Sequence, residues 1–479
     1  MQPHSRNPIT RLACTGIAVS LLGLSLPVQA ENLLELWEHV IESNPNLRAS
    51  EHSVEKARAQ QDQVLAKLLP NVGIRGNYGF NSYNRDVNGG GFNIYGKGNM
   101  QYNGYMGSLQ VTQALFDLPS YLQLEGADKQ TRAEEQSALS QRMKSAYDLV
   151  DNYLIILEAS DVIAQLDAEH ESIERQLERM RHMHERQLVK VTDLYEVEAY
   201  SQAVNTSRIE ANNQKAIAIE KLREITGVAA AHPDHLVQEQ FPEMTRSADD
   251  WVQEAHSSNP YLLALQYGAE SAQHMIASAE AQHLPTLSAS VSETISNTIT
   301  NNLQIVPYNV SSAYLNITIP IYAGGGVEAG VKEAVQSYEI SREKIELARR
   351  EIEKDTRTAW FNVNSGQSRI ESSRKEADFR DKAKIAQQTS YEVGATTIVN
   401  VLDAHRRLLK ATTDYKKSKY DFIRSLIRLR LNAGSLADLD LEAISQWFAP
   451  EKLAPEPHKA AHGKGQSHPT AVDAKSPRG

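Results

Sequence analysis

Along Leu284-Pro285-Thr286-Leu287-Ser288-Ala289-Ser290-Val291-Ser292-Glu293-Thr294-Ile295, apolar and polar residues take turns. Leu287, Ala289, Val291 and Ile295 fill one set of positions, and Ser288, Ser290, Ser292 and Thr294 fill the other. Glu293 alone breaks the row. A period of two predicts a strand with one set of side chains on each face. The same form stands 215 residues earlier, in Leu69-Pro70-Asn71-Val72-Gly73-Ile74-Arg75-Gly76-Asn77-Tyr78-Gly79-Phe80, with Val72, Ile74, Tyr78 and Phe80 on one face. Upstream, Ser43-Asn44-Pro45 matches Ser258-Asn259-Pro260 at that offset, as do Leu47 with Leu262, Ala49 with Ala264, Glu55 with Glu270 and Ala66 with Ala281. Asn before Pro starts a helix, because Asn caps and Pro tolerates the first helical position, where no amide donor is needed. Each half therefore opens with a capped helix of about 22 residues, then Leu-Pro, then a strand. The chain reads as an internal tandem duplication.

A second strand follows in each half. One covers Tyr105 to Phe116, with Leu109, Val111 and Leu115 alternating with Ser108, Gln110 and Thr112. Its counterpart covers Ala313 to Tyr322, with Leu315, Ile317, Ile319 and Ile321 on one face. Pro320 lacks a ladder donor and belongs near a strand end. Residues 81–104, rich in Asn, Gly and Tyr, read as an exposed joining loop, and residues 296–310 as its counterpart. Each half makes one hairpin, with strands at about 70–80 and 105–116, then at about 285–296 and 312–322. Ten residues is the length of a tilted strand that crosses a bilayer. No segment approaches the 18 consecutive apolar residues of a helical span.

Beyond each hairpin the period changes. Residues 121–226 hold no proline and one glycine, and residues 321–449 hold no proline. Spacings of three and four alternate through Leu139, Met143, Ala146, Val150, Tyr153 and Leu157, then Ile163, Leu166, His170, Ile173, Leu177 and Met180. The counterpart seam is Ile352, Thr356, Ala359, Val363, Gly366, Ile370, Ser373 and Ala377. These are heptad seams, thin and rich in small residues, suited to helices packed closely in pairs. A helix from about 120 to 188 would be on the order of 100 Å long. Breaks at 188–193 and 394–399 predict tight turns between antiparallel helices, with Thr or Asp capping the next helix. Gly227 and Gly434, 207 apart, end the returning helices.

The termini and the charge narrow the setting. Arg6 and Arg11, the apolar run Leu12 to Leu26 and the small residues around Ala30 read as a secretory signal peptide over 1–30. Cys14, the one cysteine, precedes most of that run, which speaks against a lipid anchor. Without it no disulfide or thiolate metal site remains. Loss of the two signal arginines takes the net charge from −10 to −12, which disfavours nucleic acid as a partner. The mature chain divides into a first repeat at 31–227, a linker at 228–250, a second repeat at 251–434 and an equatorial C-terminal segment at 435–448. A disordered tail follows from about 449 to 479, with His458, His462 and His468 as polar tail residues.

Four bilayer-length strands have two open edges, and unpaired backbone in lipid costs several kcal/mol per group. Four strands are also too few to close a barrel. The subunit must therefore oligomerise, with the helices continuing the barrel as a periplasmic tube. At this point the sequence resembles the TolC-like outer-membrane channels of type I secretion and multidrug efflux, over roughly 31–447. The resemblance rests on the paired Ser-Asn-Pro and Leu-Pro segments and on Tyr391-Glu392-Val393-Gly394-Ala395-Thr396-Thr397-Ile398-Val399-Asn400-Val401-Leu402-Asp403-Ala404. It implies a homotrimer in the outer-membrane lipid: a twelve-stranded β-barrel, four strands per subunit, continued by a long α-helical coiled-coil barrel. It also implies a periplasmic adaptor and an inner-membrane transporter of ABC or RND type as partners, with an exported protein or small molecules as cargo. The missing lipid anchor tilts the choice toward type I secretion.

The resemblance also implies a periplasmic gate. Tyr391 and Asp193 match the positions of a polar lock between neighbouring coils. Asp403 matches one of two entrance aspartates, while Asn400 stands where the other is expected and Thr396 replaces the lock arginine. Without the resemblance, these acids read equally as solvated helix caps. His170, His182 and His184 read as packing rather than metal ligands, since no partner sits at ligand spacing on their face. No nucleophile motif, phosphate loop or His-Glu-x-x-His points to an enzyme or a cofactor. The rival reading is a soluble periplasmic coiled-coil adaptor without a pore.

Overall fold

The structure, a computed structural model, describes residues 32–85, 98–228, 233–238, 241–242, 244–298 and 307–449. The expected signal peptide, nearly all of the expected tail and the centres of both expected loops lie outside these residues. Element order runs α1 (Leu33–Ser43), α2 (Pro45–Leu65), β1 (Asn71–Arg85), β2 (Gly98–Phe116), α3 (Leu118–Glu185) and α4 (Val191–Thr226). After β3 (His235–Leu236) come α5 (Ala248–Ser258), α6 (Pro260–Ala281), β4 (Thr286–Ser296), β5 (Tyr308–Thr318), α7 (Gly326–Glu392) and α8 (Ile398–Ala433). The short α9 (Asp438–Ser445) and β6 (Phe448–Ala449) close the described chain.

The Ser-Asn-Pro segments do more than start a helix. Asn44 Oδ1 accepts from the amides of Asn46 and Leu47 (2.8 and 3.4 Å), while its Nδ2 donates to Ile225 O at the end of α4 (3.0 Å). Asn259 repeats this, accepting from Leu262 N (3.1 Å) and donating to Asn432 O at the end of α8 (2.8 Å). One amide thus caps the N-terminus of one helix and the C-terminus of another. The short helices before these caps, α1 and α5, were not expected. Their burial follows ordinary helical spacing, with Leu33, Leu36, Trp37 and Val40 inside in α1 and Trp251, Val252 and Ala255 inside in α5.

The strands form one antiparallel sheet in the order β1-β2-β4-β5, so β1 and β5 are its edges. The first pair is longer than expected, its ladder continuing to Arg85↔Gly98 through residues assigned to a loop. Backbone pairing needs no apolar side chains and runs on past the alternating segment. β5 begins earlier than expected, at Tyr308, and stops at Thr318. Pro320 cannot extend the ladder, which leaves Ile319 and Ile321 outside the strand. Apolar positions line up in register, Val72 opposite Val111, Val111 opposite Val291 and Val291 opposite Ala313. That face is open, with Ile74 85% and Ile317 63% exposed. Glu293 lies on it, between Leu109 and Ser311, and accepts from the Ser311 hydroxyl.

The long helices match the heptad reading. At 68 and 67 residues, α3 and α7 are each about 100 Å long. α3 packs along α2, α4 and α6, and α7 along α6 and α8, while α3 also meets α8. A broad core at the middle of the helices joins Leu36 and Trp37 of α1, Leu149, Tyr153 and Leu157 of α3 and Phe422, Ile423 and Ile427 of α8. Phe241 and Phe448 close it, with ring centroids 4.9 Å from Phe422 and 5.3 Å from Tyr153. A second, narrower core lies toward the far tips of the coils. Among the described residues no helix is long and apolar enough to cross a membrane.

Candidate functional site at the coil tips

Each pair of long helices reverses in a turn held by the same backbone bond. Leu188 N donates to Met183 O (2.9 Å) and Ala395 N donates to Ser390 O (2.8 Å), the six-to-one bond of a Schellman ending. Such an ending needs a left-handed residue. Gly394 supplies it at φ 74°, and Gln187 takes the same role at φ 58° despite its side chain. The expected caps are absent. Lys190 and Thr397 occupy the N-cap positions of α4 and α8, and neither side chain caps. Asp193 stands instead in the first turn of α4, where its charge faces the positive end of the helix.

The two turns meet through the second core. Met180, Leu194 and Val197 of the first coil contact Ile398, Val401 and Leu402 of α8, and Tyr391 packs against the group. The Tyr391 hydroxyl donates to Met180 Sδ at 3.5 Å rather than to a carboxylate. Burial, then the nearby Asp193 charge, pushes the Tyr391 phenol upward. Asp193 and Tyr391 are thus brought together as a charge beside a phenol, not as a hydrogen-bonded pair.

The other two expected residues are satisfied along their own chain. Exposed Asn400 donates from Nδ2 to Thr396 Oγ1 (2.9 Å). Asp403 pairs with Arg407 one turn on, at 2.7 Å, with side chains 43% and 59% exposed. An exposed pair of this kind is worth at most about 1 kcal/mol, so Asp403 stays available to other cations. Of the expected packing histidines, His182 approaches Glu185 and His184 approaches Val189 O, both at 3.4 Å. Among the described residues no group of three or more His, Cys, Asp or Glu is placed to hold a metal ion.

The structure adds a polar ladder between α3 and α8 that sequence reading missed. Its rungs are Asp151–Arg424, Glu158–Lys417 (3.1 Å), Asp161–Lys416 (2.8 Å), Gln165–Thr412 (2.9 Å) and Glu169–His405 (2.9 Å). Tyr420 also donates to Asp161 (2.7 Å), and burial followed by that charge pushes its phenol strongly upward. Positions on α3 rise as those on α8 fall, as two antiparallel helices require. That descending register was the available signal, but it has meaning only once α3 and α8 are known to touch.

With this geometry in view, the chain can be set beside known proteins. The family described as "Outer membrane efflux protein" matches residues 36–228 and 251–435. "Outer membrane protein TolC" of Salmonella enteritidis is 28% identical over 476 residues, covering 96% of this chain and 95% of that protein. "Alkaline protease secretion protein AprF" of Pseudomonas aeruginosa is 24% identical, covering 88% of each chain. The structure is similar to that of the Campylobacter jejuni CmeC outer membrane channel, at a TM-score of 0.75 and 15% identity. The likeness covers 93% of this chain and 98% of that one.

Proposed function

The chain belongs to the outer membrane efflux protein family, and from that premise we propose that it is the outer-membrane exit channel of a type I secretion or efflux system. The observation that carries this reading is the β1-β2-β4-β5 sheet, with two open edges and an exposed apolar face. Such a face and such edges persist only when lipid covers the first and other strands pair with the second. A soluble adaptor would leave both uncovered, so that alternative is not favoured.

Three subunits pairing β5 of one with β1 of the next give a closed barrel of twelve strands. The two halves of each subunit, 31–227 and 251–434, are copies of one unit, with the linker at 228–250 and the C-terminal segment at 435–448 packed around the equator. The long coils extend the barrel into the periplasm. Their tips, with Asp193, Tyr391, Asn400 and Asp403, are the gate that an adaptor and an inner-membrane transporter engage. We read the packed tips, with α8 seated on α3 and α4, as the shut state.

The test compares Ile317→Asp with Thr318→Asp in the outer membrane and in detergent. Ile317 faces lipid near the helix end of β5 in this reading, and Asp there should cost about 1 kcal/mol per subunit and lower trimer yield. Thr318 faces the lumen, so Asp there should be tolerated. Cross-linking that recovers a stable folded monomer, or equal tolerance of both substitutions, overturns the reading.

A further inference from the structure

We propose that Glu169 is the shared acceptor of a clasp between the two coils, and that protonation of His405 tightens it, so that mild acid holds the periplasmic mouth shut. The inference rests on the channel reading above, and concerns residues outside the expected gate. Glu169 stands on α3, Tyr200 on α4 and His405 on α8. The Tyr200 hydroxyl donates to Glu169 Oε1 at 2.9 Å. His405 Nδ1 lies 2.9 Å from the same oxygen and 3.2 Å from Oε2. The Glu169 and His405 side chains are only 13% and 11% exposed. Three helices from both coils therefore converge on one carboxylate, just inside the tips.

The tautomer follows from the chemistry of the acceptor. Burial works against the Glu169 carboxylate, yet the hydrogen bond and the charge of His405, then the hydrogen bond from Tyr200 and the charge of Lys384, hold it below the usual carboxylate range. An ionised carboxylate can only accept, so Nδ1 carries a hydrogen and donates. His405 makes this bond while neutral. A second proton, at Nε2, adds an ion pair to this already charge-assisted bond within a poorly solvated contact. Separating the coils would expose both groups to water and lose that gain.

The surroundings sort into helpers and competitors. From α4, Tyr200 fixes Glu169, and burial together with the Glu169 charge drives its phenol strongly upward, so it stays a donor. From α8, the Arg406 guanidinium lies 5.1 Å from the Tyr200 ring and adds a second α4–α8 tie. A cleft of about 380 Å³ beside His405 is lined by Arg175 and Arg179 of α3 and by Lys384 and Glu392 of α7. Arg175, Arg179 and Lys384 are cationic and Glu392 is anionic, and Glu169 remains the hydrogen-bond partner of His405. The signs then set a window. Closure strengthens as pH falls and His405 charges. It is lost again only when pH falls through the depressed range of Glu169.

The experiment records the open probability of the full-length channel in planar bilayers from pH 8 to pH 5.5, for wild type, His405→Gln and Tyr200→Phe. The added ion pair contributes about 1 kcal/mol, or about fivefold in the opening equilibrium per subunit. Wild type should close about that much per subunit on acidification. His405→Gln keeps a donor but cannot titrate, and should flatten the profile. Tyr200→Phe should raise opening at every pH and leave the slope intact. If His405→Gln conducts with the wild-type pH profile, the clasp is overturned while the channel reading stands. If wild type forms no conducting oligomer at all, it is the channel reading that fails.

Discussion

Asn259→Asp separates an ordinary helix cap from the double cap seen here. By capping preference alone the change is nearly neutral, because Asp and Asn serve equally as N-caps. Asn259, however, is 7% exposed and lies between the start of α6 and the end of α8, with Oδ1 on Leu262 N and Nδ2 on Asn432 O. Aspartate keeps the first bond and loses the second. A buried donor lost opposite a carbonyl costs about 1–3 kcal/mol. The new charge is favoured by the N-terminus of α6 and disfavoured by the C-terminus of α8, so the helix dipoles offer no net compensation. Asn259→Asp should therefore cost about 2 kcal/mol per subunit, and Asn259→Ala, which also forfeits about 1 kcal/mol of cap, about 3 kcal/mol. Asn44, 4% exposed and bonded to Ile225 O, should respond alike. Guanidinium unfolding of the detergent-solubilised protein, followed by helical circular dichroism, gives the shift. If Asn259→Asp unfolds within about 0.5 kcal/mol of wild type, the bond to Asn432 contributes nothing and the double cap is only a geometric coincidence.

Two further outcomes follow from neighbouring geometry. Gly434 at φ 73° has room for no Cβ, which would lie 2.4 Å from Ser258 O and 2.7 Å from Asn259 Cα. At Gly227 it would meet the Ser43 side chain, with the hydroxyl at 3.2 Å and Cβ at 3.6 Å. Both alanine variants bear about 1 kcal/mol for the left-handed backbone. Gly434→Ala should cost roughly 2 kcal/mol more than Gly227→Ala, because main chain must move, and equal unfolding midpoints would contradict this. In the proposed gate, Arg407→Ala frees Asp403 and should lower the concentration of divalent cation that blocks the channel by up to about fivefold. Asp403→Asn should abolish that block, and bilayer recordings in which neither variant alters it would remove Asp403 from the pore lining.

Much of this molecule was legible in one dimension. Period-two alternation located the four long strands among the described residues, seams with spacings of three and four located the long helices, and Ser-Asn-Pro and Gly227 and Gly434 marked helix ends. These signals are local, set by which side of a backbone faces a neighbour, and a chain carries them wherever it goes. Strand ends were less legible, since pairing beyond Phe80 and ahead of Tyr105 depends on a partner backbone and not on side-chain pattern. The short helices α1 and α5 carry an apolar helical spacing, but at 11 residues each they repeat it over only about three turns.

The coil tips divide in the same way. Tyr391 and Asp193, expected near one another, are brought together by the packing of Met180, Leu194 and Ile398, but as a charge beside a phenol. Asn400 and Asp403 turned to partners one turn away on their own chain, Thr396 and Arg407, contacts that helical spacing permits without requiring. Glu169, Tyr200 and His405 stand tens to hundreds of positions apart, and nothing in their local sequence links them. Periodicity tells which face of a helix is buried. Only the crossing of α3, α4 and α8 decides which polar groups that burial forces to satisfy one another, because an unpaired buried carboxylate or hydroxyl is costly and its partner must be whatever the fold places within reach.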